Sequence, residues 1–150
     1  MVDRASKLCQ LRLASRPDAT HVSRAILTAL APPNRIVRTL TADNGAEFAK
    51  HLGLGRKLGA GFYFARPYHA WERGLNEHTN GLVRQFLPKG TRFDDISAAR
   101  LRHIQHLLNN RPRAVLGFRT PTEAYERLIQ TERTGALDLE RAPDFGTNCA

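Results

Sequence analysis

Wound at 100° per residue, positions 75–86 (LNEHTNGLVRQF) separate into two sides. Leu75, Thr79, Leu82, Val83 and Phe86 fall on one, and Glu77, Asn80, Gly81, Arg84 and Gln85 on the other. The spacing predicts a helix with an apolar stripe turned to a core. Its polar side carries, in a row, a carboxylate, an amide, a glycine and a guanidinium. Arg84 stands two turns after Glu77, roughly 10 Å along the axis. This side is also weakly helical: Gly81 costs about 1 kcal/mol relative to alanine, and Asn76, Thr79 and Asn80 are poor helix formers. An ordinary amphipathic surface helix has this pattern, and so has a helix whose polar face is in use.

The rest of the chain divides by the same periodicities. Residues 3–6 read as a turn, and residues 8–14 (LCQLRLA) alternate apolar and polar as a half-buried strand does. Such a strand at the start of a domain leaves unpaired edges, so the sequence reads as if its beginning were missing. Asp18 is placed to cap a helix whose buried face is Val22, Ala25, Ile26, Ala29 and Leu30, ended by Pro32-Pro33-Asn34. Residues 36–42 (IVRTLTA) are short and β-branched, a strand that stops at Asp43-Asn44-Gly45. Strand, helix and strand with a connection of this length predict a parallel crossover and an α/β fold. A short helix begins near residues 47–51, four glycines between 53 and 61 loosen the chain, and residues 62–64 (FYF) form an aromatic strand. Residues 67–74 are a loop carrying Tyr68, Trp71 and Arg73. A second long helix is marked by Ile96, Leu101, Ile104, Leu107 and Leu108, closed by Asn109-Asn110-Arg111-Pro112. A last helix opens with a capping box, Thr120 at the N-cap, Pro121 at N1 and Glu123 at N3. From residue 131 the periodicity fades, giving one domain over 1–130 and a loose tail over 131–150.

A chain of 150 residues suits one domain with a core, and its 41% hydrophobic content argues against disorder. Lys and Arg number 23 against 14 Asp and Glu, a formal charge of +9. A partner that is a polyanion, first of all nucleic acid, follows from that balance, although Arg-rich proteomes also produce basic proteins. Cys9 and Cys149 form no CxxC pair and no disulfide framework, which fits a reducing compartment. His103 and His106 share a helix face without a carboxylate or Cys at ligand spacing, so they read as solvated or DNA-facing rather than as a zinc site. No apolar run reaches the ~18 residues of a membrane span, and MVDRASKLCQ has no apolar signal core.

Two carboxylates stand where an α/β fold places working residues. Asp43 ends a parallel strand, at the edge where such sheets bind ligands, and Glu77 lies at the start of a helix. Converging carboxylates with open positions suit Mg²⁺, which takes hard oxygen ligands from one or two side chains and from substrate phosphates. Two such metals activate an attacking oxygen and stabilise the leaving one in phosphodiester chemistry. Taken alone, Asp43-Asn44-Gly45 is also a common tight-turn sequence.

Three blocks together say more: TADNGAEF at 41–48, FARPYHAWERGLNEHTNGLVRQFLPKG at 64–90 and LNNRPRAVLGFRTPTEAY at 108–125. In order and spacing they resemble the catalytic core of DDE transposases of the insertion-sequence-thirty family, within the retroviral-integrase group. The 33 residues between Asp43 and Glu77 are that family's spacing between its second Asp and its Glu. The resemblance implies a ribonuclease H-like fold, a mixed five-stranded sheet flanked by helices. It also implies cutting of transposon ends and their joining to target DNA with Mg²⁺ or Mn²⁺. Asp43 and Glu77 then take the second and third acidic positions, as catalytic residues and metal ligands. Arg84 falls where integrase-like enzymes face DNA phosphate, with a guanidinium suited to bidentate contact. Asn80 and Gly81 admit close approach of DNA, Asn44 and Gly45 shape the loop beside the metals, and Tyr68, Trp71 and Arg73 line a flexible loop. Lys89 joins this DNA-facing set.

The same resemblance implies what the chain lacks. Val2-Asp3-Arg4-Ala5-Ser6 matches a segment of the family's second strand. The first strand, most of the second, the first catalytic Asp and the DNA-reading helix-turn-helix are then missing, with Asp3 in a turn where no ligand is expected. Metal binding is weakened accordingly, and the chain alone is expected not to cleave or join DNA. The expected partners are DNA and full-length transposase in a multimer, in a bacterial-type cytoplasm at the nucleoid, with no membrane. A non-catalytic basic DNA-binding protein that co-assembles with or interferes with a full-length transposase is the alternative.

Overall fold

The computed structural model describes residues 1–30, 36–66 and 74–134. The expected turn at 3–6 is present. Asp3 Oδ2 accepts from the Ser6 N–H at 2.6 Å and the Ser6 hydroxyl at 2.7 Å. The Asp3 N–H donates to the Leu8 carbonyl, and the Gln10 N–H to the Met1 carbonyl, around an antiparallel bridge between Val2 and Cys9. The strand expected over 8–14 is not formed beyond that bridge. Its backbone is claimed by a helix instead. The Asn109 amide bonds the Cys9 N–H and carbonyl, both at 2.8 Å, and Gln105 Oε1 accepts from the Leu11 N–H at 2.9 Å.

Helix α1 spans Ala19–Leu30 and buries Ile26 and Ala29. Asp18 caps it as the sequence predicts, with Oδ1 accepting from the Thr20 and His21 N–H groups. The expected helix stop at Pro32-Pro33-Asn34 and residues 67–73 of the expected 67–74 loop, with Tyr68, Trp71 and Arg73, lie outside the described residues, as does the tail beyond 134; Gly74 already belongs to a helix.

Strands β1 (Thr39–Ala42) and β2 (Gly61–Phe64) pair in parallel, with Thr39 opposite Gly61 and Ala42 opposite Phe64. β1 is shorter than the expected 36–42 because its partner begins only at Gly61, whose N–H donates to the Arg38 carbonyl. Between the strands lie a 3-10 turn at Ala46–Phe48 and helix α2, His51–Leu58. The glycines do not loosen this stretch: Gly53 and Gly55 are inside α2. A Cβ on Gly55 would stand 2.9 Å from the Ala60 carbonyl oxygen, so the glycine lets the chain double back tightly into β2. Gly59, at φ 62°, makes that reversal in the left-handed region open to glycine. His51 packs edge-on against Phe64 with ring centroids 4.8 Å apart, and Phe48, Phe62 and Phe64 complete an aromatic layer over the strands.

Helix α3 spans Gly74–Arg84 and ends two residues before Phe86. Its two sides fall as the periodicity predicts: Leu75, Thr79, Leu82 and Val83 are partly buried, while Glu77, Asn80, Gly81 and Arg84 are exposed. Helix α4, Ala98–Asn109, is capped by the Ser97 hydroxyl and buries Leu101, Ile104 and Leu108. These side chains form one core with Cys9, Leu87 and Ile96, against which Leu82, Val83 and Phe86 pack. Helix α5, Pro121–Arg133, carries the expected capping box of Thr120 and Glu123 and runs three residues past the point where the periodicity fades. Arg38 pairs with Glu132 at 2.5 Å, joining the residue before β1 to α5.

The caps set an acid limit. The His21 N–H holds the Asp18 carboxyl below its ordinary range, and the Thr120 N–H does the same for Glu123. A carboxyl with a depressed folded-state pKa favours the fold above its unfolded value, and loses that contribution as pH falls through the folded value. Their stabilisation is complete at neutral pH and declines below about pH 4, the ordinary carboxylate range. Urea midpoints followed from pH 6 to pH 2 should therefore show a shallower acid limb in the Asp18→Asn, Glu123→Gln double variant. An unchanged limb would contradict the assignment.

Candidate active site

Asp43 follows β1 directly, and Arg66 comes two residues after the end of β2, at the carboxyl ends of the two parallel strands. In such sheets this edge binds ligands, because the loops there diverge and leave a crevice. Asn44 Nδ2 donates to the Ala65 carbonyl at 3.4 Å and ties the two strand ends together. Gly45 lies under the Glu47 carboxylate, which a side chain at 45 would displace.

A cavity of about 640 Å³ is lined by β1 and by Asp43 after it. Asn76, Thr79 and Asn80 of α3 line it together with Asp43, and Asp3 of the N-terminal hairpin reaches it too. The structure thus brings Asp43 into one cavity with the amides of the helix that carries Glu77. Glu77 is exposed in the first turn of α3 and does not line that cavity. Its place suits a carboxylate, since the first turn of a helix carries the positive end of the macrodipole. Arg84 is exposed in the last turn, and Lys89 is exposed in the turn that follows. At Gly81 the space a Cβ would occupy is open, so that face of α3 admits close approach.

Among the described residues no group of three or more His, Cys, Asp or Glu is placed to hold a metal ion. Asp3 shares the cavity, but one of its carboxylate oxygens already accepts two hydrogen bonds from Ser6. The described residues therefore do not supply a complete carboxylate set for a pair of metals.

Five contributors escaped the sequence reading. Asn76 and Asp3 line the cavity, and Glu47 sits over the turn after Asp43. Asn109 and Gln105 organise the backbone of residues 9–11. A signal for the last pair exists: Gln105 and Asn109 sit beside the apolar stripe of α4, four residues apart and next to Leu101, Ile104 and Leu108.

No family model matches the chain. It is 45% identical over 127 residues to the transposase for insertion sequence element IS4351 of Bacteroides fragilis, covering 85% of the chain and 39% of that protein. It is 38% identical over 128 residues to transposase InsI for IS30C of Escherichia coli (strain K12), covering 85% and 33%. With the transposase for IS1086 of Cupriavidus metallidurans it shares 38% identity over 134 residues, covering 86% and 38%. The chain spans about a third to two-fifths of the length of these curated relatives. In three dimensions it is similar to the catalytic core domain of BIV integrase, with a TM-score of 0.64 and 24% identity over 90% of this chain and 86% of that one. It is also similar to a chain of the simian T-cell lymphotropic virus intasome, with a TM-score of 0.67 and 19% identity over 83% of this chain and 46% of that one. Over 85% of its length the chain is thus homologous to part of transposases of the insertion-sequence-thirty family, and its α/β core has the ribonuclease H-like fold of the retroviral integrases.

Proposed function

We propose that the chain is part of a DNA strand-cleavage and strand-transfer core used in transposition, and that it contributes the second and third acidic positions and a DNA-facing helix. The observation that carries this reading is Asp43, at the carboxyl end of β1, lining one cavity with Asn76 and Asn80 of α3. Arg84 and Lys89 supply cations for the phosphate backbone, with Arg84 suited to hold one phosphate bidentately. Asn80, Gly81, Asn44 and Gly45 leave room for sugar and backbone beside Asp43, and the family resemblance adds Tyr68 and Arg73 as further DNA-contacting residues. Mg²⁺ or Mn²⁺, held by Asp43, Glu77 and substrate phosphate, would activate the attacking oxygen and stabilise the leaving one. Because the described residues form no group of three that could hold a metal, and Asp3 is engaged by Ser6, the chain by itself binds such a metal weakly and leaves DNA uncut. Its working partners are transposon-end and target DNA and a full-length transposase, in the cytoplasm.

Incubation of the purified 150-residue protein with labelled duplex ends and Mg²⁺ or Mn²⁺ is expected to give neither nicked nor joined product. Strand transfer by this chain alone would overturn that expectation. Retention of free Mn²⁺, followed by its EPR signal, tests the assignment of the carboxylates. Uptake should require DNA and fall in Asp43→Asn and Glu77→Gln. Uptake unaffected by either substitution would remove both from the metal site.

The alternative, a non-catalytic DNA-binding protein that co-assembles with a full-length transposase, uses the same α3 face without metal. Gly81→Ala separates a working face from a merely solvated one. It should raise stability by about 1 kcal/mol, because alanine is the better helix former, while weakening DNA binding by crowding the approach. A stabilised variant with unchanged DNA affinity would return α3 to the status of a surface helix.

A further inference from the structure

The stretch from Ile96 to Thr122 contains no Asp or Glu, yet holds Arg100, Arg102, Arg111, Arg113 and Arg119 together with two histidines. Its last part, the loop between α4 and α5, is shaped in an unusual way. The Phe118 N–H donates to the Arg113 carbonyl at 2.9 Å, and the Arg113 N–H to the Arg119 carbonyl at 3.0 Å, closing a tight reversal. Gly117 and Phe118 both take φ 62°. Glycine adopts that conformation freely, whereas a bulky aromatic does so only where the surroundings hold it there. The reversal presents Val115 and Phe118 to solvent at 74% and 77% exposure, the two most exposed large apolar side chains among the described residues.

Among the described residues the arginines around this knob form no ion pair, and only Arg119 lies in the field of a carboxylate, that of Glu123. Arg111 and Arg119 are exposed, and neither forms an ion pair among the described residues. Arg113 Nη2 donates to the Leu108 carbonyl at 3.2 Å, but its Nε is buried with no partner. Burial and the neighbouring Arg111 charge push the Arg113 guanidinium down from its ordinary value. A buried donor without an acceptor, beside a second uncompensated cation, calls for an anion.

We propose that the loop at residues 110–119 is a second DNA-contacting element, in which Arg111, Arg113 and Arg119 grip phosphates of a duplex while Phe118 and Val115 press into the adjoining groove. The charge pattern selects the ligand: five arginines in a stretch free of acids complement a polyanion. Apolar wedges flanked by arginines are a way of engaging a duplex without reading its sequence. The assignment rests on the DNA-binding part of the function proposed above and is independent of metal chemistry. It extends the contact from α3 to the end of α4.

Fluorescence anisotropy with a labelled duplex, over a salt series, tests it. Arg111→Ala with Arg119→Ala removes two exposed cations without touching the core. It should lower the steepness of log K against log salt by about 1.8, the value for two phosphate contacts at 0.9 each. Phe118→Asn, a residue that tolerates positive φ, should weaken binding several-fold and leave the slope unchanged. Arg84→Ala with Lys89→Ala, on the α3 face, is the reference. If that pair weakens binding while the loop variants do not, the loop proposal fails and the DNA reading stands. If no variant changes binding, the DNA reading itself fails. If sedimentation shows that Phe118→Asn abolishes self-association while DNA affinity holds, the knob is a protein interface and the proposal is overturned.

Discussion

Replacing Asn109 with alanine should lower the unfolding free energy by about 3 kcal/mol. The side chain is buried and satisfies two buried main-chain groups at once, the N–H and the carbonyl of Cys9, each at 2.8 Å. Leaving one such group unsatisfied costs about 1–3 kcal/mol, and alanine abandons both. No other described residue takes over, because the only strand neighbour of Cys9 is Val2, across an isolated bridge. Asn109→Asp should fall between the two proteins, since a carboxylate accepts the N–H bond but cannot donate to the carbonyl. Urea unfolding monitored by circular dichroism gives the comparison. A loss under about 0.5 kcal/mol for the alanine variant would show that water replaces the amide and that the clamp is incidental.

Affinity for duplex DNA should fall by about 10²–10³-fold between 50 and 200 mM salt. The estimate follows from roughly five neutralised phosphates, with log K changing by about −0.9 per contact for each tenfold change in salt. The cations are Arg84 and Lys89, on and after α3, and Arg111, Arg113 and Arg119, after α4. Because this term is release of counterions, it should persist in EDTA. A slope shallower than −2 would mean that only one or two arginines meet DNA, and that the charge of +9 serves solubility more than recognition.

Much of the fold was legible because local chemistry and tertiary structure agree. Asp18 and Thr120 cap their helices in the way their types demand, and the two-sided pattern of α3 survives in its burial. The parallel crossover expected from residues 8–14 to residues 36–42 is not formed, because the first of those strands is absent; the parallel pair among the described residues is β1 with β2. What failed depended on partners distant in sequence. Residues 8–14 alternate as a strand does, but periodicity does not say what will take the backbone, and here the helical amides of Gln105 and Asn109 take it. The glycines of α2 have low helix propensity, and the advantage of Gly55 appears only once Ala60 and Phe62 fold back over it. At the candidate site the strand-end position of Asp43 was readable from the pattern. The company it keeps with Asn76 and Asp3 was not, because it arises from how α3 and the hairpin are packed.

The clamp between Asn109 and Cys9 joins residues 100 apart in sequence. On a ribosome adding about 5–20 residues per second, the hairpin at residues 1–10 waits roughly 5–20 s for its fastening to be made. During that interval Leu8 and Cys9, both buried in the finished fold, have no helix to cover them. The Cys9 thiol, held in its protonated form by burial afterwards, is then open to oxidants and to chaperones. The segment at residues 1–10 is thus made well before it is secured, so the yield of native protein should depend on how quickly α4 is completed and docks.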